Sequence, residues 1–411
     1  MTASNKPLTG IRVLDFSRIL AGPLCTQYLA DMGADVIKVE DTRTGDDTRA
    51  WPPFAGPGLG AVYMSVNRGK RSIALDLKTD GGREIAHLLT READIAIESF
   101  GSGVAERLRI DEATLRAINP DLIYCSISGF GRSGPMKDAP GYDVILQAFC
   151  GVMALTGDEG GPYIRSPISP IDQTTGMHAL SGILAALFAR GRGGGGRRVD
   201  TNLFDTALGL QAYNLQSFWI RGSEPVRSGS SHEGLCPYQA FKAADGPIMI
   251  GVANDGLWRR FCEVAGLDHI RDDPCFATNP ARVANRAETV ALVQEAIARR
   301  PVAWWFEKLS AIRVPCAPIN NLQGLMDEAQ TAASGMVLEL DKGPDGTQPL
   351  RGMAQPVTFD DMPRDAGLPP PGHGQHGREI LAELGLGARE IEELLRGKAL
   401  ALPDASGDSS E

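Results

Sequence analysis

The sequence predicts an α/β fold with a parallel sheet, joined by a second, smaller α+β domain. Two observations carry the prediction. Short β-branched apolar runs alternate with helix-length segments through roughly the first half of the chain, and after about residue 226 that alternation gives way to hairpin signals. At 411 residues and 43% hydrophobic content, the chain holds enough apolar side chains for two cores.

The elements follow in order. Ile11 to Phe16 reads as a strand, Gly22 to Met32 as a helix and Asp35 to Glu40 as a second strand, which makes a βαβ-like unit. The alternation continues with a strand at Ser72 to Leu77, a helix near Gly82 to Thr90, a strand at Ile95 to Phe100, a short helix near Val104 and a strand at Leu122 to Gly129. Two longer helices, Tyr142 to Leu155 and Thr174 to Ala189, lead to the glycine run Gly193-Gly-Gly-Gly196 and a strand at Val199 to Leu203. That run lacks the Gly-Lys-Ser/Thr of a phosphate loop and follows a helix rather than a strand, so it reads as a flexible turn. The first domain therefore takes residues 1–225. A hairpin, Tyr238 to Lys242 and Ile248 to Ala253, opens the smaller domain at 226–330, with helices near Leu257, Arg286 and Pro301. A hairpin around Pro344-Asp-Gly346 and two amphipathic helices return the chain to the first domain over 331–400, and the polar tail, 401–411, is expected to be disordered.

Charge narrows the function. The 51 acidic and 41 basic residues, net -10, are spread along the chain with no basic stripe, which argues against a nucleic-acid partner. An anionic substrate would need a local cluster of Lys, Arg and helix N-termini. The N-terminus lacks the apolar core of a signal peptide and no stretch is apolar for the length of a bilayer, so a cytoplasmic protein without membrane contact is expected. Seven widely spaced cysteines (Cys25, Cys125, Cys150, Cys236, Cys262, Cys275, Cys316) suit reduced, mostly buried thiols, and neither a disulfide framework nor a metal site is indicated.

Candidate chemical groups are judged by position. Asp172 lies in Ser166-Pro-Ile-Ser-Pro-Ile-Asp-Gln-Thr-Thr-Gly176, stiffened by two prolines, with a helix expected to begin just after the carboxylate. The structural reading makes it an N-cap; the functional one makes it a nucleophile kept ionised by the helix dipole. Gly141-Tyr-Asp-Val144 opens another helix and reads structurally as a cap with a packed tyrosine. The segment Gly229 to Tyr238, containing His232 and Gly234, is small and polar enough for a substrate loop, although a lone histidine is more often a surface one. Gly45-Asp-Asp-Thr-Arg-Ala-Trp51 sets Arg49 near the end of the second strand, where open α/β sheets bind ligands.

Several segments in order, Leu14-Asp-Phe-Ser-Arg-Ile-Leu-Ala-Gly-Pro23, Gly33-Ala-Asp-Val-Ile-Lys-Val-Glu40, Asn67-Arg-Gly-Lys-Arg-Ser-Ile73, Gly141-Tyr-Asp143 and Gly372-His-Gly-Gln-His376, resemble the class III CoA-transferases over about residues 7 to 395. The resemblance implies a Rossmann-like large domain built from both ends of the chain, a small middle domain and an interlocked dimer, with a homodimer expected and a heteromer with a related chain as the alternative. It implies that Asp172, downstream of Arg165, attacks a CoA thioester to give a mixed anhydride and then an aspartyl-CoA thioester, with no permanently bound cofactor. A CoA ester and a free carboxylic acid would be the substrates. CoA would lie along Ile19, Leu20 and Ala21, flanked by Leu75, Lys78, Ser99, Phe100, Arg107 and Leu108; formyl-CoA transferases carry a basic residue in place of Asp41 and Asn in place of Ser99. Backbone N–H groups at the Asp172 turn and the Gly229 to Gly234 loop are expected to stabilise oxyanions.

Within that family, Gly45 to Trp51, Tyr238-Gln-Ala-Phe-Lys242 and Val314-Pro-Cys-Ala-Pro-Ile-Asn-Asn321 look most like the succinyl-CoA:glutarate type. A second carboxylate would then be received by Arg49 with His232 as a further donor, and Tyr142, Asp143 and Gly234 complete the expected substrate site. Related α-methylacyl-CoA racemases read Gly-His-Asp where this chain has Gly141-Tyr142-Asp143, which removes one partner of a two-base proton transfer. A dehydrogenase would need Gly-x-Gly-x-x-Gly after the first strand, where Ser17-Arg-Ile-Leu-Ala-Gly22 stands. A noncatalytic acyl-CoA binder would have no use for Asp172.

Overall fold

In the computed structural model, residues 6–340, 350–360, 362, 364–365 and 367–403 are described. Their strands are β1 (Arg12–Asp15), β2 (Asp35–Glu40), β3 (Lys70–Leu75), β4 (Ile95–Glu98), β5 (Ile123–Ser128), β6 (Arg198–Asn202), β7 (Tyr238–Lys242), β8 (Pro247–Gly251), β9 (Cys316–Pro318), β10 (Val337–Leu340), β11 (Leu350–Met353) and β12 (Leu400–Ala401). The main sheet runs β12-β3-β2-β1-β4-β5-β6. All its pairs are parallel except β12 against β3, so the fold is the α/β class expected.

Both faces of this sheet are buried, as parallel sheets require. Successive side chains point to opposite faces: Val13, Val36, Ile123 and Cys125 enter one core, Leu14, Ile37, Leu122 and Tyr124 the other. The first core is closed by the helices Ala21–Asp31 and Pro170–Ala189 through Cys25, Leu29, Ala179 and Ile183. The second is closed by Asp80–Arg91, Gly377–Glu383 and Ala388–Arg396 through Ile85, Leu89, Ile380 and Ile391. Each buried aliphatic side chain contributes about 1.5–3 kcal/mol.

The chain separates into two compact units. One comprises the described parts of Met1–Cys150, Ser166–Leu215 and Gln330–Glu411, the other Gly151–Arg165 and Gln216–Ala329. The second unit thus includes Gly151–Arg165, a segment the sequence placed in the first domain. It is built on the antiparallel sheet β7-β8-β9, whose Phe241, Ile248 and Ile250 pack with Trp258, Phe261 and Trp305. Arg282 is fully buried beneath Trp258 and donates to Cys236 O (2.7 Å), Phe276 O (2.8 Å) and Asp255 (3.0 Å).

Several boundaries move. The helix expected from Thr174 begins at Pro170, because proline needs no N–H donor partner in a first turn, and Asp172 therefore lies inside the helix. The single helix expected over Tyr142 to Leu155 is two, Asp143–Phe149 and Val152–Leu155, broken where Gly151 takes φ +80°. Strand β3 starts two residues before the expected Ser72. The short strands β9 and β12 were not expected; β12 includes Ala401, the first residue assigned to the tail. Residues 404–411 and the turn at Pro344-Asp-Gly346 lie outside the described residues. Among the described residues no helix is long and apolar enough to cross a membrane.

Candidate active site

The order of strands reverses at β1: the chain builds outward through β2 and β3 on one side and through β4, β5 and β6 on the other. Loops leaving adjacent strands at such a switch point diverge and leave a crevice at the carboxyl ends. Here the turns after β1, β4 and β5 surround a cleft of about 360 Å3. Its walls include Ile19, Leu20, Ala21, Ser99, Phe100, Arg132, Lys137 and Tyr142, and Asp172 faces into it.

Asp172 is the third residue of the Pro170–Ala189 helix, and it is not the cap. That role falls to Asp143, a buried residue of the neighbouring Asp143–Phe149 helix, whose Oδ2 accepts from the N–H of Ile171 (2.8 Å) and of Asp172 (3.1 Å). Gln147 holds the other Asp143 oxygen and braces Ser166 through both its amide atoms, at 3.1 Å and 2.8 Å. Among the described residues no group donates a hydrogen bond to the Asp172 carboxylate. Burial, and then the negative charge of Asp143, push its pKa up to about 7. The expectation that the helix dipole keeps Asp172 ionised is thereby corrected: burial and the like charge of Asp143 raise its carboxyl instead. The N–H groups of Ile171 and Asp172, expected to meet an oxyanion, are already occupied by Asp143.

Glycine makes the close approaches possible. A Cβ at Gly176, one turn beyond Asp172, would lie 2.5 Å from the carbonyl oxygen of Ala21, and one at Gly141 would lie 2.5 Å from Gly129 Cα. Tyr142, read either as a packed cap residue or as part of the substrate site, is 52% exposed on the cleft wall.

A second cleft of about 320 Å3 adjoins the first, sharing Arg18 and Phe100. It lies over the ends of β1, β2 and β3 and is lined by Asp41, Arg43, Leu75, Lys78, Val104 and Leu108 among others. Leu75, Lys78, Phe100 and Leu108 therefore meet here, as the resemblance implied. Arg107 is exposed on the Val104–Leu108 helix and does not line the cleft. Ser99 Oγ accepts from the Arg18 N–H at 3.0 Å, tying the β1 and β4 turns together.

Arg49 is a correction. It is 5% exposed and donates to both oxygens of Glu40 at 2.7 Å, to Gly58 O, to Pro371 O and to the Tyr63 hydroxyl, with its guanidinium 3.9 Å from the Tyr63 ring. An arginine so engaged joins strand β2 to the C-terminal part of the chain and has little left for a substrate carboxylate. In the second unit, His232 is exposed; its Nδ1 accepts from Gly234 N–H at 3.0 Å and its ring lies 5.5 Å from that of Tyr238. The proton is thereby placed on Nε2.

Sequence reasoning missed Arg132, Lys137 and Gln147. Arg132 donates to Glu98 (2.7 Å), Ser126 Oγ (2.9 Å) and Phe100 O (3.0 Å), locking the β4 turn to β5. The glycine-flanked Gly129-Phe-Gly-Arg-Ser-Gly134 after an expected strand was the available signal.

Comparison with known proteins follows the same lines. A succinate–glutarate CoA-transferase of Agrobacterium fabrum is 40% identical over 388 residues, covering 92% of this chain and 96% of the relative. The succinyl-CoA:mesaconate CoA-transferase of Haloarcula hispanica is 36% identical, over 92% and 97% of the two chains. The crystal structure of a CAIB/BAIF family protein from Brucella suis superimposes with a TM-score of 0.83 at 38% identity, covering 92% of this chain and all of that one. A sequence model described as CoA-transferase family III matches residues 8–377. With these relatives along nearly its whole length, the chain belongs to CoA-transferase family III and acts on CoA thioesters and carboxylic acids.

Proposed function

We propose that the protein moves CoA from succinyl-CoA to a second dicarboxylate, of the glutarate, itaconate, mesaconate or citramalate type, with Asp172 as the covalent carrier. The observation that carries this reading is a carboxyl group facing the switch-point cleft with no hydrogen-bond donor of its own among the described residues, while Asp143 takes over the capping work. A structural carboxylate at a helix start would be spending its oxygens on the backbone. Relatives named for glutarate and mesaconate support the substrate class.

The ionised Asp172 oxygen attacks the thioester carbonyl, the C–S bond breaks, and a mixed anhydride and CoA thiolate result. The thiolate then attacks the aspartyl carbonyl and releases the donor as free acid, leaving an aspartyl-CoA thioester. The acceptor carboxylate attacks that thioester and the steps reverse, so CoA leaves on the acceptor and Asp172 is regenerated. A raised carboxyl pKa makes the ionised oxygen more basic and hence more nucleophilic. Adenine and phosphates of CoA occupy the neighbouring cleft, where Arg43 and Lys78 supply positive charge to an otherwise acidic protein. The working form is a homodimer in this reading, in which a second copy would cover exposed apolar side chains such as Phe188, Leu208 and Tyr213, exposed at 67%, 40% and 74%.

A racemase would need a second base beside Asp172, and no histidine lines the cleft among the described residues. The test is a panel of free dicarboxylates with succinyl-CoA. Formation of the acceptor's CoA ester with release of succinate, in parallel-line initial-rate patterns, is expected. No transfer to any dicarboxylate, with transfer to monocarboxylates only, would overturn the substrate assignment.

A further inference from the structure

The turn that separates β1 from the Ala21–Asp31 helix holds Ile19 at φ +73°. A β-branched residue in the left-handed region is strained, and such a conformation persists only where the surroundings impose it. Two buried side chains do so here. Asp46, 1% exposed, receives the Ile19 N–H between its two oxygens (3.4 and 3.3 Å), and Lys38, also 1% exposed, donates to the Ser17 carbonyl (3.0 Å). Asp46 and Lys38 pair with each other at 2.9 Å, so one ion pair grips the turn on both sides of Arg18. Thr48 fixes Asp46 in turn, through its hydroxyl (2.7 Å) and its N–H (3.0 Å).

The gripped turn leads directly to the site. Arg18 to Ala21 form one wall of the cleft that Asp172 faces, and the Ala21 carbonyl is the surface against which Gly176 packs, one turn beyond Asp172. We propose that the buried Asp46–Lys38 pair is a positioning device: it holds Ile19 to Ala21 in the strained shape that seats the CoA ester opposite Asp172. Both side chains reach the neighbouring cleft, and neither lines the cleft that Asp172 faces. The inference rests on the reading that this wall receives CoA.

The test is a double-substitution cycle with succinyl-CoA as the varied donor. Asp46→Asn keeps the size of the side chain but removes the charge that pairs with Lys38 and attracts the Ile19 N–H. It is expected to raise the KM for succinyl-CoA at least tenfold, with kcat changed less than threefold. Ile19→Gly relieves the left-handed strain, so in that background the same Asp46→Asn change should cost threefold or less. A purely structural Asp46 would cost the same in both backgrounds, and that result, or an unchanged KM in the first, would overturn the proposal. Should Asp46→Asn fail to fold, Thr48→Val, which removes one donor from the same carboxylate, reads the same split: a KM rise of about threefold that vanishes with Ile19→Gly supports the proposal, and equal effects in both backgrounds overturn it. Failure of the underlying reading is separate, since a bulky Leu20→Trp on the same wall would then leave the KM for succinyl-CoA unchanged.

Discussion

A carboxylate in the first turn of a helix ordinarily gains from the dipole and from free N–H groups. At Asp172 burial works against the charged form, and Asp143 has taken the N–H groups and adds its own negative charge. The sign of the resulting pH dependence follows. With a carboxyl raised from 3.8 to about 7, the nucleophilic form declines as pH falls through 7, so kcat/KM for the CoA donor should drop about tenfold per unit below that point. Asp143→Asn removes the second of the two causes and leaves burial in place. Its acid limb should therefore move to lower pH while remaining above the ordinary carboxylate range, and because an Asn oxygen can still accept from the Ile171 and Asp172 N–H groups the urea midpoint should change little. An unshifted limb in that variant would mean that Asp143 does not govern Asp172.

At the scale of elements, the site depends on how closely two helices cross. Pro170–Ala189 carries Asp172, and Ala21–Asp31 continues from the turn after β1; they meet where Gly176 has no Cβ to strike the Ala21 carbonyl. Gly176→Ala puts a methyl group 2.5 Å from backbone oxygen, which neither helix can yield cheaply. It should destabilise the protein by about 1–3 kcal/mol, read by denaturant unfolding, and reduce turnover at temperatures where the fold persists. Sequence periodicity located this helix but began it four residues late, since Ser169-Pro170 resembles an extended approach as much as a proline-started helix. That error turned Asp172 into a cap candidate. The partner that truly caps is 29 residues earlier in the chain, and no local pattern announces a cap supplied by another helix. Strands of two or three residues, such as β12 and β9, likewise have too few positions for an alternation to register.

For the molecule as a whole, the alternation of strands and helices made the parallel sheet legible, while the order of its strands, and so the place of the switch point, depends on pairings between distant segments. Phe100 and Leu108 entered the site through resemblance alone, and the structure brings them to one cleft with Leu75 and Lys78. Arg49 shows the converse: its charge was readable, its burial against Glu40 and Tyr63 was not, because exposure is a property of the folded chain. A net charge of -10 gave no hint that the fold would gather Arg18, Arg43 and Lys78 around the ends of three strands, beside Asp41 and Asp76. The proposed chemistry requires that Asp172 become covalently loaded. The direct measurement is intact mass after mixing the protein with succinyl-CoA, followed by hydroxylamine trapping and peptide mapping. A hydroxamate is expected at Asp172 and none in Asp172→Ala, with CoA-ester binding retained; a protein that turns over but carries no modification at Asp172 would overturn the covalent route.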